Sequence, residues 1–125
     1  MKATDTQIGG NHYKNMPFQP VELFAKVKCT PFQANIWKYI TRYKYKNGVQ
    51  DIQKAIHYAQ LAIELDCNGS LDDGDFKTLQ KFCSANNLSD TQRVIMLCTG
   101  RNHYYSTIKA CETLLQEEYP QEITN

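Results

Sequence analysis

The chain reads as an all-α protein. Three observations predict this: apolar residues recur at spacings of three and four, capping patterns open those runs, and no stretch alternates like a strand. Its 125 residues suit a single domain, which at this size buries roughly two thirds of its unfolded surface. Three regions follow within it: an N-terminal arm over 1–19, a core over 20–66 and further helices over 74–119.

The arm reads as irregular. Its Ile8-Gly9-Gly10-Asn11-His12-Tyr13-Lys14 stretch joins pliable backbone to donors and ring surface. Lys14 falls five residues after Gly9, but the second glycine and the following Ser or Thr of a P-loop are missing. Such a segment is either a mobile tail or a loop that closes over a ligand. Pro17-Phe18-Gln19-Pro20 is extended and leads into a short helix over 21–28. Val21, Phe24 and Val27 should face inward, and Glu22 sits in the first turn, where the helix dipole favours a carboxylate.

The core is a helical hairpin over 30–65. Thr30 N-caps the first helix, Pro31 occupies the position that tolerates a missing N–H, and Gln33 completes a capping box. Asn47-Gly48 should end that helix, with Lys44 and Lys46 in its last turn. Phe32, Ile36, Ile40 and Tyr43 form one stripe, and Asn35, Lys38, Arg42 and Lys46 a neighbouring polar one. The second helix runs from about Val49 to Leu65. Ile52, Ala55, Ile56, Ala59 and Ile63 make its inner face; Asp51, Lys54 and Tyr58 line its edge. An antiparallel hairpin brings the basic stripe and the Asp-Lys-Tyr edge to one space suited to an anion, a base or a sugar. Spacing alone is more simply met by a solvated charged face.

A turn-rich linker over 66–74 follows; it lacks the sixth-position glycine and closing Glu of a calcium loop. The third long helix should cover 75–85, with Phe76, Leu79, Phe82 and Cys83 inward. Ser89-Asp90-Thr91-Gln92 is another capping box, opening a helix that Gly100 stops. The last helix should place Tyr105, Ile108, Cys111 and Leu115 on one face, ending before Pro120.

Formal net charge is +1, so global charge argues against nucleic acid as partner. Locally, residues 38–54 carry five basic groups against one Asp. Five cysteines without a C-x-x-C pair, no signal peptide and no long apolar run point to a reducing, cytoplasmic setting and no membrane. Cys83, Cys98 and Cys111 read as core. His12, His57 and His103 have no zinc spacing, so no metal site is assigned. Tyr39, Tyr43, Tyr45, Tyr104 and Tyr105, taken as exposed, would point to a homo-oligomer.

Asn11-His12-Tyr13, then Gln19-Pro20-Val21-Glu22, then the pattern N-x-x-K-Y-I-x-R-x-K-x-K-N-G-x-x-D-I-x-K-A-x-x-Y from Asn35 to Tyr58 closely resemble the SaV-like family of tailed-bacteriophage proteins. The resemblance spans residues 8–65. One branch of that family includes a nucleotide kinase of short-tailed coliphages that works on deoxynucleoside monophosphates without a P-loop. The resemblance implies nucleotide handling in a host cytoplasm. It points to His12, Tyr13, Gln19, Glu22, Asn35, Lys38, Arg42, Lys46, Asp51, Lys54 and Tyr58. The family's usual Glu before Asp51 is Gln50 here, which removes one carboxylate and weighs against a metal.

Two function classes follow. In a nucleoside monophosphate kinase, Lys38, Arg42 and Lys46 would neutralise phosphates, with Lys54 among the nucleotide-binding residues unless it only pairs with Asp51. Lys14 would close over the ligand, Tyr13 or Tyr58 would stack on a base, and Asn11, Gln19 and Asn35 would supply polar contacts. His12 or Asp51 would handle a proton, with Arg42 at the reacting group. ATP would be the phosphate donor; the residues set no magnesium requirement. In the alternative, the same stripe captures a nucleotide or nucleotide-derived signal without turnover, or the protein docks on a host enzyme. The stripe also predicts that Arg42→Ala removes nucleotide binding and leaves the fold intact.

Overall fold

A computed structural model describes residues 2–8 and 13–122. Its described residues form six α-helices and no strand: α1 Pro20–Lys26, α2 Pro31–Arg42, α3 Val49–Glu64, α4 Asp73–Ala85, α5 Asp90–Gly100 and α6 Tyr104–Glu118. Short 3-10 turns lie at Ala3–Asp5 and Tyr43–Tyr45. The expected all-α class is what the chain adopts.

The capping boxes form as the sequence predicts. Gln33 N–H donates to Thr30 Oγ1 at 3.1 Å while Thr30 N–H donates to Gln33 Oε1 at 3.0 Å. Ser89 and Gln92 repeat the arrangement at α5. At α4 the acidic loop serves the same end: Asp75 N–H donates to Asp72 Oδ1 and Asp72 N–H to Asp75 Oδ2. Each box satisfies donors that a helix start would otherwise leave unpaired.

α2 and α3 run antiparallel, with Arg42 meeting Asp51 beside the turn and Phe32 meeting Tyr58 further along. α6 packs on α3 and α5, α5 on α2, and α4 on α5 and α1. The core they enclose includes Leu23, Ile36, Trp37, Ile40, Ile52, Phe82, Ile95 and Leu114, all without exposed surface. Trp37 donates its indole N–H to Met96 O at 3.0 Å. Burial pushes the Cys83 thiol up to about 11 and Cys111 to about 12, so both stay protonated at neutral pH as core residues.

Four expectations need correction. The α-helical part of α2 ends at Arg42 rather than Asn47, and the chain tightens into the Tyr43–Tyr45 turn. There Gly48 N–H donates to Tyr43 O and Asn47 N–H to Asp51 Oδ2, so the turn closes early. α1 begins at Pro20; Pro20 and Leu23 take its buried side and Val21 turns outward, 56% exposed. In α6 it is Tyr104, not Tyr105, that faces the core. Asn102, at φ +62°, makes the preceding turn tight, and the Tyr104 hydroxyl donates to Cys67 O and Asn102 Oδ1. Finally, Tyr39, Tyr43 and Tyr104 are buried, so of the five aromatics expected to form an oligomer surface only Tyr45 and Tyr105 are exposed.

Candidate functional site

The hairpin places its polar edge around one ring, that of Tyr39. Lys38 Nζ lies 4.5 Å from the ring centroid, Arg42 Cζ 4.9 Å and Lys54 Nζ 5.5 Å. All three are within cation–π range. Tyr58 stacks on Tyr39 with centroids 5.9 Å apart and planes inclined by 25°. The helical period explains the grouping. Asn35, Tyr39 and Arg42 follow one another by four and three residues along α2, and Lys54 and Tyr58 by four along α3.

Beneath this cluster lies Asp51, fully buried in the first turn of α3. Its carboxylate accepts from Arg42 Nε at 3.2 Å and Arg42 Nη2 at 3.1 Å, and from the Asn47 N–H at 3.3 Å. The pairing is a bidentate fork that fixes the guanidinium plane. Burial opposes the charge on Arg42, but Asp51 and Tyr13 outweigh it and raise its pKa. Lys38 is shifted the other way. Burial and the like charges of Arg42 and Lys54 hold its ammonium below the ordinary lysine value, against the weaker pull of Asp51. A bound anion would relieve that crowding.

The N-terminal arm reaches the same place. Tyr13 lies beside Arg42; burial raises its phenol, and the charge of Arg42 pulls the other way. Tyr13 N–H donates to Gln7 Oε1 at 2.6 Å, and Gln19 Nε2 donates to Thr4 O at 2.5 Å, so both halves of the arm are tied to each other. Between arm, α1 and α2 opens a cleft of about 370 Å³, lined among others by Ile8, Tyr13, Pro20, Val21, Phe24 and Lys38.

The candidate residues thus separate. Tyr13, Lys38, Arg42, Asp51, Lys54 and Tyr58 converge, and Gln19 lines the adjoining cleft. Glu22 accepts the Gln19 N–H at 2.9 Å and serves α1 as a cap. Asn35 donates back to Pro31 O at 2.8 Å within its own helix. Lys46 is exposed in the turn beyond the end of α2, off the helical stripe, and Lys14 is exposed beside Tyr13. Asn11 and His12 lie outside the described residues. Tyr39, which organises the cluster, is in sequence terms only one of the aromatics expected to be exposed. Its place in the Asn35–Arg42 stripe was the signal for it. Among the described residues no three His, Cys, Asp or Glu side chains gather as metal ligands, and no helix is long and apolar enough to cross a membrane.

Fold and cluster together define a six-helix domain with a cationic, aromatic-floored edge on its central hairpin. A family model described as a protein of unknown function, DUF3310, matches residues 9–60, under half of the chain. The matched stretch holds every converging residue and stops within α3, leaving α4, α5 and α6 outside it. No curated protein matches, and no solved structure does.

Proposed function

We propose that this chain is a nucleotide-handling protein that holds the phosphate of a nucleoside monophosphate against Lys38, Arg42 and Lys54. The observation that carries the reading is the gathering of three cations around Tyr39 with one carboxylate among them. Two positive charges are left uncompensated, and a phosphate monoester brings about −1.5 to −2 at neutral pH. Arg42, set by Asp51, offers planar donors, and the lysines offer compact charge. The nucleotide part of the reading, the bacteriophage origin and the host cytoplasm as workplace come from the resemblance of residues 8–65 to the SaV-like family.

The geometry supports binding more directly than turnover. Asp51 is committed to Arg42 and so acts as a positioning group rather than an open proton acceptor. A kinase reading would draw its proton acceptor from elsewhere, His12 being the candidate that the sequence supplies, with ATP as donor.

Calorimetry with a panel of nucleoside monophosphates tests the site. Lys38→Gln and Lys54→Gln should each weaken binding by about tenfold, the worth of roughly 1.4 kcal/mol. Neither change should move the thermal midpoint appreciably, because both side chains are partly exposed. Wild-type protein that retains no nucleotide at all overturns the reading. Product analysis with ATP, with and without magnesium, then separates the two classes. Diphosphate formed by the wild type and not by Lys38→Gln makes the protein a kinase; retention without turnover makes it a capture protein.

A further inference from the structure

We infer that the cleft between the arm and α1 is the subsite for the base and sugar of the same ligand, an inference that rests on the phosphate reading above. Continuity is the first argument. Lys38 belongs both to the cleft wall and to the cation cluster, and Tyr13 lines the cleft while lying against Arg42. A molecule whose anionic end sits at Lys38 therefore has its remainder directed into the cleft.

Surface chemistry is the second. Ile8 is 97% exposed and Val21 56% exposed, and both stand on this cleft, with Phe24 beside them. Apolar side chains on a concave wall favour an occupant that removes them from water. Gln7 and Gln19 lie on the same wall and supply the amide groups that a base edge or a ribose would meet. Their bonds to Tyr13 N–H and Thr4 O fix the wall in place before any ligand arrives.

Size is the third. At about 370 Å³ the cleft lies near the lower end of small-molecule sites, which run from about 300 to 1,000 Å³. That is room for one nucleoside. The arm therefore selects the ligand's uncharged part, while the hairpin supplies its phosphate contacts.

Ile8→Ser and Val21→Gln test this, since both change the wall at exposed positions without altering charge. Titrations would compare inorganic phosphate, the monophosphate that binds best and its parent nucleoside. Wild type should bind the monophosphate at least about tenfold more tightly than phosphate. Each variant should lose about tenfold for the monophosphate, the scale of one lost apolar contact in a pocket, and keep its affinity for phosphate. Equal affinities for phosphate and monophosphate in the wild type overturn the subsite and leave the cation cluster standing. Equal losses for both ligands in the variants do the same. Wild type that binds neither ligand brings down the phosphate reading itself, and the subsite with it.

Discussion

Arg42 is held by a carboxylate without exposed surface, while its own side chain is 19% exposed. That difference changes what its removal does. With Ala at position 42, Asp51 would stay buried with the Asn47 N–H as its remaining hydrogen-bond donor and Lys38 as a weaker counter-charge. Breaking such a pair from one side costs about 3–5 kcal/mol, because the remaining ion has lost its partner and cannot regain water. Arg42→Ala should therefore lower stability by that amount in urea denaturation, not merely remove a ligand contact as the stripe alone suggested. Arg42→Met combined with Asp51→Leu, which removes both charges, should recover most of the loss. An Arg42→Ala protein as stable as the wild type would show that Asp51 is not the charged, dry group its contacts describe. Sequence spacing placed Arg42 and Asp51 in one space. It could not show that they bond each other, because periodicity assigns a face and not the depth at which a side chain ends.

Helix starts were the most legible elements, and the reason is local. A capping box is written within four residues, so Thr30 and Gln33, or Ser89 and Gln92, announce a helix without knowledge of anything distant. The same Gln33 also has a distant role that no local rule contains. It is fully buried, and its Nε2 donates to Thr99 O at 3.1 Å and Asn102 Oδ1 at 3.2 Å. Asn102 in turn exchanges hydrogen bonds with the backbone of Gly69, stitching the 66–72 linker to the start of α2. A Cβ on Gly69 would lie 2.1 Å from Gln33 Oε1. Gly69→Ala should displace Gln33, leave buried groups unpaired and cost about 2 kcal/mol or more. Gly74→Ala is the contrast. It lies in the first turn of α4, its nearest neighbour would be Asp72 Oδ1 at 3.3 Å, and it should be neutral or slightly stabilising. Equal melting temperatures for the two variants would remove the linker contact from the account.

At the scale of the whole molecule, the site and the stability come from different halves of the chain. The converging residues all lie before residue 60, yet the hairpin that carries them is completed by helices beyond it. Trp37 gives its indole N–H to Met96 O, and Gln92 Nε2 reaches Ile40 O at 2.9 Å. Tyr43, buried at the hairpin turn, donates its hydroxyl to Glu118 at the end of α6. Burial and that carboxylate raise its pKa. None of these partners was legible in the sequence, because contacts between residues fifty or more positions apart leave no periodic mark on either segment. They predict that a fragment of residues 1–70 does not fold. It would expose the face of α2 holding Ile36, Trp37 and Ile40, which the full chain hides completely. Trp37 is the only tryptophan, so its fluorescence reports on that face directly. In the full chain its emission and the helical circular dichroism should be lost together in one transition on heating, as cooperative small domains do. In the fragment the emission should be that of solvent-exposed indole at every temperature. A fragment with buried-indole emission and a cooperative melt would make the hairpin an autonomous unit and reduce α4, α5 and α6 to an addition. Should the fragment be unfolded, the cationic edge can be presented only by a chain that also carries the helices beyond the hairpin.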